Sequence, residues 1–337
     1  MAGTLHGFGL GVASKNAKGD VLDVFYPTPL ANISGDLVSI FDGVSGELKA
    51  TEIRALSGGL RSAGEHALAD IAVRLSEAGR PVVASLLADN AAPQTVADAY
   101  LKLHLLSHRL IKPHGTDLTG MFALLPNVAW TDEGPIDLAE LADRQLTSRL
   151  KGRVLEVASV DKFPKMTNYV VPSGVRIAHT ARVRLGAYLG SGTTVMHEGF
   201  INFNAGTDGP GMIEGRISAG VMVGKGSDLG GGCSTMGTLS GGGNIIISVG
   251  ESCLLGANAG LGIPLGDRCT VEAGLFVTAG TKVTVLDDAR EAVETLAARH
   301  LSGKSDLLFR RNSQSGSVEC LTNQTAIELN ESLHDNN

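Results

Sequence analysis

The chain has 337 residues, of which 44 are glycine, with 43% hydrophobic, only 4% aromatic, a net charge of −7 and a pI near 5.7. That length suits two or more structural units, and the hydrophobic content excludes disorder as the reason for so much glycine. No basic block exceeds Arg310-Arg311, which argues against nucleic-acid binding through phosphate neutralisation. No run approaches the roughly 20 apolar residues of a membrane span, and the first residues lack a signal peptide's charged start and apolar run. Four cysteines (Cys233, Cys253, Cys269, Cys320) show no C-x-x-C pairing, as expected of reduced thiols in a cytoplasmic protein.

Residues 1–110 read as an α/β unit. Within it, 62–79 has helical apolar spacing ending in glycine, 81–87 is a buried-strand pattern, and 95–110 is a second amphipathic helix. A connector with a helix follows over 111–165: 111–136 is turn-rich, and 137–152 is helical with Asp137 as N-cap and Gly152 as stop. His104 and His108, four apart on one helix, could present two metal ligands, but no acidic motif lies between them and a packed helix face is the simpler reading.

The middle of the chain is periodic. Val171, Ile177, Val183, Leu189, Val195 and Ile201 recur every six residues, as do Ile217, Val223 and Leu229, then Val249, Leu255 and Leu261, then Leu265, Val271, Val277 and Val283. Glycine often follows the aliphatic, and a small residue, including Cys233, Cys253 and Cys269 as core filler, often stands four places on. One inward aliphatic per short strand, with glycine at the corners, is the hexapeptide pattern of a left-handed parallel β-helix over 166–285. The phase breaks between Ile201 and Ile217, between Leu229 and Val249, and between Leu261 and Leu265. Residues 202–216 and 230–244 are therefore expected to leave the wall as loops that carry chemistry. A C-terminal cap over 286–337 is expected to hold a helix at 287–303 and closing strands, including one near 325–329.

Glu214 stands out because only Asp208, Glu214 and Arg216 are charged between Phe203 and Ile217. A fixed carboxylate in a glycine-walled cleft can act as a general base or a nucleophile, and an arginine beside it suits a substrate carboxylate. A surface ion pair is the plain alternative. No phosphate-loop glycine motif occurs, since GKGSDLGGG (224–232) falls inside the six-residue register. The histidines of the repeat, His179 and His197, are too few for a three-histidine zinc site.

The stretches HEGFINFNAGT, GPGMIEGRISAGVMVGKGSDLGGGCSTMGTLSGGG, LLGANAGLGIPLGD and LLFRRNS closely resemble the longer branch of the tetrahydrodipicolinate N-succinyltransferases. The resemblance is close over 159–337 and extends to KLHLLSHRLIKPH and LLPNVAW upstream. It implies a homotrimer with active sites between subunits, using succinyl-CoA as co-substrate; because acyl transfer from a thioester needs no Lewis acid, no cofactor is expected to be required. It implies Glu214 as the catalytic glutamate, by an acyl-anhydride or as a base, and Arg216, Gly231 and Ser234 as acceptor-binding positions. Ala257, Glu272, Ala273 and Gly280 match positions along the CoA groove, while Arg310, Arg311, Asn312 and Ser313 match C-terminal CoA contacts, with Lys282 a further phosphate candidate. Relatives place magnesium at Glu198 together with an aspartate where this chain has Ala181, and loss of that oxygen ligand weakens a magnesium site here. The same fold acylating another amine, or serving as a non-catalytic scaffold, are the competing readings; phase-breaking segments count against a scaffold.

Overall fold

A computed structural model describes residues 4–237 and 245–322. The chain divides into two compact units: residues up to 111 with 115–164 and 168–170, and residues 112–114 and 165–167 with the chain from 171 onward. The expected strand near 325–329 and the tip of the 230–244 segment lie outside the described residues.

The first unit is built on an antiparallel sheet of β1 (Leu5–Lys15), β2 (Val21–Phe25), β3 (Leu30–Ile33), β4 (Gly46–Leu48) and β5 (Val82–Leu87), with β1 central between β2 and β5. Alternation along β1 sends Phe8 and Leu10 to one face, where they pack with Ile53, Leu56 and Leu60. Gly9 faces the opposite side, where an added Cβ would stand 2.6 Å from the Tyr26 ring and 2.8 Å from Leu101. That glycine lets the helix Val96–Ser107 lie close against the sheet. The helix is capped by Thr95, whose Oγ1 accepts from the Asp98 amide at 3.1 Å. A helix at Ala50–Ser62 precedes the expected one, which runs His66–Ser76; the Gly58-Gly59 pair inside it hides its periodicity. The connector also holds more structure than its turns suggest. Strands Val128–Thr131, Gly134–Asp137 and Val157–Asp161 form a small antiparallel sheet beside the helix Leu138–Leu150, which Asp137 caps.

The second unit contains three stacks of short parallel strands, consistent with a left-handed β-helix. On the first face Ile177, Val195, Ile213, Leu229, Leu255 and Val271 align in register, and on the second Val183, Ile201, Ile217, Thr235, Leu261 and Val277 stack in turn. The third stacks Leu189, Thr207, Val223 and Val249. All of these except Ile177 are buried. Val171, at the start of the six-residue series, is 62% exposed and is not a core rung.

Residues 202–216 do not leave the wall. Ala205–Thr207 and Gly211–Ile213 are wall strands, with Thr207 and Ile213 in the inward slots. The sixteen-residue interval arises because Ile213 and Ile217, on successive faces, are four residues apart instead of six. The corner between them, Glu214-Gly215, is two residues short. The step from Leu261 to Leu265 is shortened in the same way at another corner. The opposite deviation, between Thr235 and Val249, is an insertion whose central residues are not described.

The expected helix at 287–303 is instead a turn and a strand, Ala292–Ala297, followed by a short 3-10 turn, Ala298–Leu301. Asp287, at the start of that expected helix, closes a hairpin instead: its carbonyl accepts from the Arg290 amide at 2.9 Å and its carboxylate from the Glu291 amide at 2.8 Å. Pairing with Lys282–Leu286 overrides helix propensity. A second hairpin, Leu307–Arg311 with Val318–Thr322, adds Leu308 and Phe309 in parallel to Thr270 and Val271, so the last rung of the first face is covered. Leu255→Ala should therefore lower unfolding free energy by about 2–5 kcal/mol, whereas Val171→Ala should stay within about 0.5 kcal/mol. Urea denaturation of the two variants checks this, and equal losses would contradict the assigned register.

Candidate active site

The short corner opens a groove on the second unit of about 640 Å³, lined by Glu214, Gly215, Arg216, Gly231, Gly232 and Cys233 from two successive rungs, with Asn258 from the next. Arg182, Met196, His197, Glu198 and Phe200 line the rest of it. Glu214 is half-buried, and its backbone is fixed by its amide donating to Leu229 O at 2.8 Å. Its Oε2 lies 3.5 Å from the place where a Cβ on Gly231 would project, so the glycine leaves the carboxylate room over the next rung. Gly215 is required for a different reason. A Cβ there would meet Cys233 Sγ at 2.3 Å and Cys233 O at 2.6 Å.

Arg216 is exposed on the second face, paired in register with Ser234. Its Nε and Nη2 donate to Ser234 Oγ at 3.1 and 2.9 Å, so the hydroxyl steadies the guanidinium. Among the described residues Glu214 and Arg216 form no ion pair. The plain alternative of a surface salt bridge is thus absent, and the carboxylate and the guanidinium both face the groove.

The expected CoA positions divide into groups. Ala257 and Glu272-Ala273 stack along the same corner as Glu214 and the acceptor position Gly231: the Asn258 amide donates to Gly231 O at 2.9 Å and the Gly274 amide to Ala257 O at 2.8 Å. Ala257, Glu272 and Ala273 are exposed there. Glu272 is tied to the cap, accepting from the Arg311 amide at 2.6 Å through its carboxylate. Gly280 and Lys282 follow the strand Phe276–Thr278 and so lie beyond the far side of that face from Ala273. Arg310 is engaged by Glu319 at 2.9 Å, which Asn312 also contacts at 2.7 Å. The Asn312 and Arg310 hydrogen bonds hold the Glu319 carboxyl below its usual range despite desolvation. Arg311 is exposed, its guanidinium donating to Gly316 O at 3.0 Å, and is the freer cation of the pair; Ser313 is exposed beside it.

Glu198 lies in the groove, 67% exposed, with Arg182 and His197 each 3.5 Å from its carboxylate. Two cationic or cationisable neighbours and Ala181 in place of an acid do not fit a magnesium ion. Among the described residues no three acidic, histidine or cysteine side chains gather as metal ligands. His104 is also accounted for. Its Nδ1 donates to Tyr100 O at 2.7 Å, its Nε2 accepts from the Tyr26 amide at 3.2 Å, and burial lowers its pKa to about 3.

The reading of the sequence missed Arg182, Met196, His197, Phe200 and Asn258. Their signal was the register itself: Arg182 and Phe200 each precede an inward aliphatic by one residue, as Arg216 does. Cys233 is buried as expected, and burial together with the Glu214 charge pushes its thiol up to about 12. Only about 10⁻⁴ of such a thiol is ionised at pH 8. Iodoacetamide at pH 8 should leave Cys233 unlabelled in the native protein and label it in guanidinium, as peptide mass analysis would show; native labelling at a free-thiol rate would contradict its placement.

The chain is similar to proteins of one family along its whole length. The family profile described as "Tetrahydrodipicolinate N-succinyltransferase middle" matches residues 125–165, and "Hexapeptide repeat of succinyl-transferase" matches 246–279. The chain is 62% identical over 344 residues to a 2,3,4,5-tetrahydropyridine-2,6-dicarboxylate N-succinyltransferase of Pseudomonas putida, covering 100% of both. It is 58% identical to the Vibrio cholerae protein of the same name, covering 98% of both. A crystal structure from Campylobacter jejuni, described as a 2,3,4,5-tetrahydropyridine-2-carboxylate N-succinyltransferase, superposes with a TM-score of 0.87 at 33% identity, covering 96% of this chain and 93% of that one. Full-length identity at this level, with the glutamate and arginine of the short corner facing one groove, places the chain in the tetrahydrodipicolinate N-succinyltransferase family.

Proposed function

We infer that the protein transfers succinyl from succinyl-CoA to tetrahydrodipicolinate, giving N-succinyl-2-amino-6-oxopimelate on the diaminopimelate route to lysine. The observation that carries this reading is the short corner. It holds a half-buried carboxylate, Glu214, between the arginine of its own rung and the glycine floor of the next.

The chemistry needs one water. The cyclic imine takes up water at its C=N bond, and the nitrogen attacks the thioester carbonyl of succinyl-CoA. A C–N bond forms, the C–S bond breaks, CoA leaves as the thiol, and the nitrogen loses a proton. Opening of the hydrated ring leaves the 6-oxo group. Glu214 serves as the catalytic carboxylate, either taking that proton or first carrying the succinyl group as an anhydride. Acyl transfer from a thioester requires no Lewis acid.

Arg216, steadied by Ser234, anchors an acceptor carboxylate, and the Gly231 backbone forms the floor beside it. CoA lies along the corner at Ala257, Glu272 and Ala273, with Gly280 beyond it and Arg311 the strongest candidate for its phosphates. Arg310, Asn312 and Ser313 shape that end, and Arg310 acts there through its pairing with Glu319. A groove open along its length suits completion by a second subunit, so we propose a left-handed helix assembled as a homotrimer in the cytoplasm. Glu198 is assigned to the groove wall and not to a metal.

Glu214→Gln should cut turnover at least about a hundredfold, the scale of a removed acid–base group, while the oligomer persists in sedimentation. Turnover within a few-fold of wild type would overturn the assignment of Glu214. Incubating wild type with isotopically labelled succinyl-CoA without acceptor separates the two roles: covalent label on Glu214 marks an acyl carrier, and its absence a general base.

A further inference from the structure

The acceptor inferred above carries two carboxylates, whereas the assigned residues supply one arginine for them. A second guanidinium, that of Arg182, lines the same groove. Arg182 precedes the inward Val183 as Phe200 precedes Ile201 and Arg216 precedes Ile217. Val183 bridges Ile201 in parallel, and Phe200 pairs with Arg216. The three residues therefore occupy one outward column, cation, ring, cation, with the arginines two rungs or roughly 10 Å apart.

Arg182 is paired with Glu198, but only through a long, largely exposed contact. Its Nη2 donates to the main-chain oxygen of Glu198 at 2.6 Å, while the Glu198 carboxylate is 3.5 Å away and largely exposed. Its Nε is buried with no hydrogen-bond partner among the described residues, a costly state that a bound anion could relieve by drawing the guanidinium toward it. Arg184, whose guanidinium lies 5.9 Å from the Phe200 ring centroid, instead donates to Asn202 and does not line the groove.

We propose that Arg182 binds the acceptor's C6 carboxylate, the one remote from the carbon that keeps the nitrogen, while Arg216 takes the C2 carboxylate beside Glu214. This rests on the succinyl-transfer reading. The carboxylate carbons on C2 and C6 stand about 5 Å apart by ordinary bond lengths. A charge-assisted contact of about 2.8 Å at each end brings that span to the scale of the column. The C2 end is assigned to Arg216 because Glu214 shares its rung and must reach the nitrogen. Arg182 is thereby a specificity residue that selects a dicarboxylate over a monocarboxylate.

The test compares tetrahydrodipicolinate with 2,3,4,5-tetrahydropyridine-2-carboxylate, which lacks the C6 carboxylate. For Arg182→Ala and Arg182→Lys one measures the KM of the dicarboxylate, the KM of succinyl-CoA, and the inhibition constant of the monocarboxylate against the dicarboxylate. Arg182→Ala should raise the dicarboxylate KM roughly 10- to 150-fold, the range for a lost charged hydrogen bond. The monocarboxylate inhibition constant and the succinyl-CoA KM should shift less than about threefold, and Arg182→Lys should recover part of the dicarboxylate affinity. Equal weakening of both acceptors would mean a structural role and overturn the proposal, as would an unchanged dicarboxylate KM. Wild type failing to release thiol with tetrahydrodipicolinate would instead count against the underlying reaction.

Discussion

Everything in the second unit depends on stacking one inward side chain on the next across parallel rungs. A residue that fills the slot on one face must be followed, one coil later, by another in the same slot, and strand spacing leaves no freedom along the axis. Variation in coil length is therefore confined to the corners. The chain uses that freedom twice by deletion, at Glu214-Gly215 and between Leu261 and Leu265, and once by insertion after Thr235. Deleting two residues draws the chain tightly around its corner, against Cys233, so that only glycine fits at 215. The carboxylate at 214 is then set by the wall and not by a loose loop.

The same stacking aligns chemistry outside the wall. Residues one before the inward slot form a column on the second face, in which Arg182, Phe200, Arg216 and Ser234 follow one another. Residues just after the first face form a second column at the corner, with Glu214, Gly231, Ala257 and Ala273 on successive rungs. A polar acceptor along one column and a CoA thioester along the other would meet at Glu214. Rigid strands hold both columns, which suits a reaction that depends on orientation more than on exotic side chains.

Much of this was legible in the sequence because the slot is narrow and the period short. The inward aliphatics from Val183 to Val283 are where six-residue spacing puts them, and Asp137 caps the helix it precedes. What misled was the phase. An interval of sixteen residues reads equally as an excursion or as a coil two residues short, and only Thr207, a polar residue in an inward slot, distinguishes them. Its hydroxyl is satisfied by Thr193 at 2.6 Å, a pairing that no periodicity of aliphatics could reveal. The segment at 287–303 failed for the opposite reason: its composition favours a helix, but a neighbouring strand offers it a ladder. Glu214 and Arg216 were visible as the charges of a glycine-rich stretch, whereas Arg182 became visible only once the register was known.

The central claim is that this groove joins a succinyl thioester to a ring imine bearing two carboxylates. The most direct measurement is thiol release by the wild-type protein from succinyl-CoA, with and without tetrahydrodipicolinate, in parallel with acetyl-CoA. The account predicts release that depends on tetrahydrodipicolinate and is fastest with succinyl-CoA. Release that is indifferent to the acceptor, or absent when both substrates are supplied, would contradict it.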